Sequence, residues 1–127
     1  MPSGPPLTEG LRAAALVFVG GGLGSLLRYL ASLIVGGPLA TLTVNLAGCF
    51  AIGLIAAAVP PVAGNVRLFF MTGILGGFTT MSAFSLDALA LWQRGQPAPA
   101  LAYVAASLLG SLAAVTAGAA LGTAMAR

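Results

Sequence analysis

G-I-L-G-G-F-T-T-M-S-A-F-S-L-D, residues 73–87, decides how this chain is read. The stretch lies inside an apolar run long enough to cross a bilayer, yet its middle holds a glycine pair, two threonines and two serines. In lipid every backbone N–H and C=O needs a partner, and irregular backbone is tolerated only where it is buried in protein or lines a polar cavity. The stretch therefore predicts a helix broken between residues 76 and 80. Carbonyls freed there can face a cation, and freed N–H groups can face an anion. The competing reading is a small-residue packing surface between unbroken helices.

Working outward, composition sets the class. Of 127 residues 59% are hydrophobic and 6% charged, with a mean hydropathy of +1.06. Soluble domains carry roughly 25% charged residues, so this is an integral membrane protein of the all-α class. The length holds about four spans of roughly 20 residues with short loops. Five arginines against two acids give +3. The arginines are scattered singly, so no basic stripe for nucleic acid exists. Cys49 is the one cysteine and histidine is absent, which removes an intramolecular disulfide and the usual zinc ligands. With only Glu9 and Asp87 as acids, the usual acid–base pairs are also missing. The inventory is not that of an enzyme.

The expected order is a disordered polar tail over 1–10, then helices over 11–35, 38–59, 67–93 and 100–125. An apolar run behind Arg12 could also open a signal peptide, but it continues past the usual length of one. In the first span Gly20, Gly24, Arg28, Ser32 and Gly36 share a face at spacing four. An arginine inside a span costs about 2.5–3.5 kcal/mol on insertion scales unless it faces water or snorkels. Arg28 therefore reads as the wall of an electropositive vestibule, or as an interfacial residue beside Tyr29.

Gly36-Gly37-Pro38 predicts a tight turn into the second span. There Thr41, Asn45 and Cys49 fall on one face. The Asn45 amide is either an interhelical hydrogen bond or a neutral donor for a passing anion. The fourth span carries a small-residue ladder, Ala106, Gly110, Ala114, Gly118 and Gly122, beside a polar line of Tyr103, Ser107 and Ser111. The ladder predicts close helix packing. The hydroxyls either bond backbone or wet a narrow path.

Four spans put both chain ends on one side, with Arg12, Arg67 and Arg127. The other side has Arg94, and Arg28 if it snorkels that way. That bias is weak under the rule that arginine-rich loops stay inside, so both orientations are open. Four short spans enclose little interior, and a transport path forms more naturally between subunits. A homodimer or larger assembly follows.

Three stretches then carry a resemblance: G-G-L-G-S-L-L-R-Y (21–29), T-L-T-V-N-L-A-G-C-F (41–50) and G-I-L-G-G-F-T-T-M-S-A-F-S (73–85). With A-S-L-L-G-S-L (106–112) they cover all four spans, and the chain resembles the Fluc/CrcB fluoride ion channels. The resemblance implies an antiparallel, dual-topology dimer in the inner (plasma) membrane, with two fluoride pathways along the subunit interface. It implies a structural sodium ion held by the backbone carbonyls of Gly76 and Thr79 from both subunits. The anion pathway would take Asn45, Met81, Ser82, Phe84, Tyr103, Ser107 and Ser111, with Arg28 toward the vestibule. Met81 and Phe84 fall where the family has paired phenylalanines, and Ala83 replaces a usual threonine. Met81 is the clearer departure, because an aromatic ring offers an anion its positive edge and a thioether does not.

Physical chemistry fits that reading. Fluoride is small and strongly hydrated, so a pore must replace its water with donors that do not hold it too tightly. Amide, hydroxyl and ring-edge groups do so. Two other functions compete. A small dual-topology cation exporter would need a titratable carboxylate in its path, for which Asp87 is the candidate. A subunit that works only beside a paralogous partner is the other.

Overall fold

The computed structural model describes Gly4 and residues 6–127, and all its regular structure is helical. Four segments are long and apolar enough to cross a membrane: Leu7–Ile34, Gly37–Ala58, Gly64–Gln93 and Pro97–Met125. The first, second and fourth are single helices, α1 (Leu7–Ile34), α2 (Gly37–Ala58) and α6 (Pro97–Met125). The third is composite. It runs through α3 (Gly64–Arg67), a π-helical segment (Leu68–Leu75), α4 (Gly76–Phe78) and α5 (Met81–Gln93).

Several boundaries differ from the sequence expectation, each for a local reason. Helix α1 begins at Leu7, with Pro6 as its N-cap and Glu9 in its first turn, where a carboxylate complements the helix dipole. Of the tail predicted over 1–10, Met1, Pro2, Ser3 and Pro5 lie outside the described residues, and Leu7 to Gly10 are helical. Helix α6 begins at Pro97, three residues before the expected start. Proline costs no hydrogen bond in a first turn, because those N–H groups have no helical partner. The predicted glycine turn is present: Gly36 and Gly37 have φ of 73° and 60°, a region side chains disfavour. Pro38 follows in the first turn of α2. At the other end of α2, Arg67 Nη1 donates to the carbonyls of Val59 (2.7 Å) and Ala56 (3.2 Å). A basic side chain at a helix C-terminus satisfies carbonyls that have no partner in the helix.

The helices associate as two pairs, α2 with α6 and α1 with the third span. Lipid tails are as apolar as leucine, so membrane helices pair through close packing rather than burial from water. Glycine does that work here. A Cβ at Gly118 would strike the Phe50 carbonyl and one at Gly53 the Val115 carbonyl, so α2 and α6 meet backbone to backbone. In the other pair a Cβ at Gly20 would lie 2.7 Å from the Phe69 carbonyl, and one at Gly24 would strike that of Ile74. Gly118 and Gly122 of the predicted ladder are buried, whereas Ala106 is exposed and Tyr103 and Ser107 take the buried face there. Large apolar side chains such as Phe18 (83% exposed) and Ile34 (85%) point outward, as lipid-facing or partner-facing residues do.

Candidate functional site

The third span is interrupted at Thr79 and Thr80, whose ψ values of 157° and 116° are extended rather than helical. Two diverted backbone donors and one arginine that occupies a carbonyl explain the interruption. The Thr80 N–H, which a continuous helix would direct to the Gly76 carbonyl, goes to Asn45 Oδ1 at 2.7 Å. The Ala83 N–H, due to the Thr79 carbonyl, goes to Thr80 Oγ1 at 3.1 Å and caps α5. From α1, Arg28 Nε donates to the Gly77 carbonyl at 3.1 Å. The carbonyls of Gly76 and Thr79 are thereby released from helical bonding. They are the two assigned by resemblance to a cation. Neutral oxygens of this kind suit a hard cation such as sodium.

Beside the break lies a groove of about 550 Å³ between α2, the third span and α6. Asn45, Met81, Phe84, Ser107 and Ser111 of the predicted pathway line it, with Gly76 and Thr79. Ser107 is 5% exposed, and its Oγ has no hydrogen-bond partner among the described residues. A buried hydroxyl left unpaired costs free energy, and that of Ser107 sits in the wall of the groove. Thr116, outside that line, bonds the Leu112 carbonyl in the default way. Met81 is 68% exposed, and the half-buried thiol of Cys49 also faces the groove.

Ser82 and Tyr103 do not line this groove. Ser82 is exposed, its Oγ 3.3 Å from Thr80 Oγ1. Tyr103 packs its ring 5.4 Å from that of Phe84 and donates its hydroxyl to Asp87 Oδ2 at 3.1 Å. Thr41 Oγ1 donates to the same oxygen at 2.7 Å. Asp87 thus ties α5 to both α2 and α6, a role its sequence position did not disclose. Arg28 lines a separate cavity of about 190 Å³ with Tyr29, Ser32, Thr41 and Thr80. The resemblance assigns Arg28 to a vestibule; the structure places it at this cavity. Thr80 lines both cavities and was missed by the sequence reading. Its signal was a threonine directly ahead of the apolar stretch that becomes α5, an N-cap pattern.

The profile of the family described as CrcB-like protein, Camphor Resistance (CrcB), matches residues 15–119. A fluoride-specific ion channel FluC of Paracoccus denitrificans (strain Pd 1222) is 49% identical over 108 residues, covering 80% of this chain and 87% of that one. The protein of the same name from Mesorhizobium japonicum is 44% identical over 108 residues, covering 79% and 87%. That from Rhizobium etli is 47% identical over 114 residues, covering 83% and 91%.

Proposed function

The chain belongs to the CrcB family, and from that membership we propose that it is a fluoride-selective ion channel of the bacterial inner membrane. Fluoride leaves the cell through it down its electrochemical gradient, which protects against a toxic anion. The observation that carries this reading is the Ser107 hydroxyl, buried and unpartnered in a groove that also holds Asn45 and Ser111. Those groups offer neutral donors, and Phe84 adds a ring edge. Fluoride gives up water only against donors of comparable number, and neutral donors let it leave again. Arg28 in the smaller cavity raises the local concentration of anions at the entrance.

The groove is open along one side of the chain and is completed by a second copy. The working form is a homodimer of antiparallel protomers, with a pathway at each groove. Arginines split three to two between the sides, Arg12, Arg67 and Arg127 against Arg28 and Arg94, a bias weak enough for both insertions. The Gly76 and Thr79 carbonyls would hold a structural sodium ion, which supplies positive potential beside the pathway and fixes the break. Asp87 is committed to two hydroxyl donors, which supports a tie between helices rather than proton-coupled exchange.

The test is fluoride efflux from liposomes holding only this purified chain, read with a fluoride electrode and repeated with chloride. Rapid fluoride loss with negligible chloride loss is expected. Folded dimers that pass no fluoride would overturn the homomeric channel; flux restored by Met81→Phe would then place the fault at that side chain.

A further inference from the structure

We propose that Asn45 and Thr80 form a clasp that holds the third span open, and that Asn45 is a positioning residue acting through Thr80. Asn45 Oδ1 accepts the Thr80 N–H at 2.7 Å, and Asn45 Nδ2 donates to the Thr80 carbonyl at 3.0 Å. The side-chain amide meets both polar groups of one residue, as a neighbouring strand would. Thr80 accordingly has the extended dihedrals of a strand, φ −153° and ψ 116°. Its hydroxyl accepts the Ala83 N–H, so every hydrogen-bonding group of Thr80 is engaged in keeping the span interrupted.

The alternative partner for the Thr80 N–H is the Gly76 carbonyl, four residues back. A helix that reseals there consumes one of the released carbonyls and moves the wall shared by the two cavities, because Thr80 lines both. The clasp comes from a different helix than the break it maintains, so α2 sets the backbone of the third span. One N–H of the Asn45 amide stays uncommitted, which leaves a donor for a passing anion. That last consequence rests on the channel reading above; the clasp itself does not.

Amide hydrogen exchange separates the two. The full-length dimer in detergent is compared with Asn45→Leu and with Cys49→Ala, which alters the same groove without touching Thr80. Site-resolved mass spectrometry follows the Thr80 amide, with α6 as an internal reference. Asn45→Leu is expected to change Thr80 exchange at least tenfold while α6 keeps its rate, and Cys49→Ala to leave both unchanged. Faster exchange means an amide without an acceptor. Slower exchange means a helix resealed onto Gly76. Either supports the clasp. A Thr80 rate within twofold of the unmodified chain overturns it, and flux lost alongside that unchanged rate would return Asn45 to a purely pathway role. Should Asn45→Leu not fold, Asn45→Ser, too short to span both groups, is measured the same way. A wild-type chain that conducts no fluoride would overturn the channel reading and leave the exchange result standing.

Discussion

The two helix pairs are built from the same material and end differently. Between α2 and α6, glycines at 53, 118 and 122 bring one backbone against another, and both helices stay continuous. Between α1 and the third span, glycines at 20, 24, 73 and 77 do the same, and one partner is π-helical and then broken. Close approach therefore does not open a helix. What differs is the presence of side chains that capture backbone groups: Asn45, Arg28 and the Thr80 hydroxyl act on the third span. Glycine supplies proximity, and polar side chains, from neighbouring helices or from the span itself, decide which backbone group is released.

The sharpest way to break this comparison is to overfill both pairs. Gly24→Val and Gly118→Val each force a side chain into a facing carbonyl. Such overpacking costs about 3 kcal/mol or more where backbone is the obstacle. Both variants are expected to lose the folded species on size-exclusion chromatography. Survival of one alone would show that the pairs are not equally tight.

Next comes the link between the pairs. Asp87→Ala leaves the Thr41 and Tyr103 hydroxyls without their acceptor, at a cost of about 2 kcal/mol, the usual range for bonds to a charged group. Asp87→Asn keeps an acceptor and is expected to recover most of that in thermal unfolding. Equal loss in both would mean that the charge, not the hydrogen bonds, holds α5 in place.

Ser107→Ala probes the groove without adding bulk to either interface. Its hydroxyl has no partner to lose among the described residues, so the melting temperature should hold or rise while fluoride efflux falls about tenfold, the value of one hydrogen bond of about 1.4 kcal/mol. Unchanged efflux would remove Ser107 from the proposed path. The smallest effect is expected at the loop. Arg67→Gln loses the charged cap on α2 for about 0.5–1 kcal/mol, read as a slightly lower melting temperature with full efflux.

Much of this was legible in the chain. Hydropathy marks four spans because lipid tolerates little else, and the T-T step after a glycine pair marks the break. Asn45, Ser107 and Ser111 stand out because polar groups are rare at such depth. The π-helical stretch did not show, since nothing in L-F-F-M-T-G-I-L distinguishes a bond to the fifth residue from one to the fourth. Nor did the partners of Asn45 and Asp87. Their bonds reach Thr80 and Thr41, 35 and 46 residues away in sequence, and only the packing of the helices brings them together.

Cys49 gives the groove a practical property. It is the chain's sole thiol and faces the space that Asn45, Ser107 and Ser111 share. A thiol-directed fluorophore or spin label would attach at one position only, inside the proposed route, with no other cysteine to remove first. The unaltered sequence already contains its own labelling site.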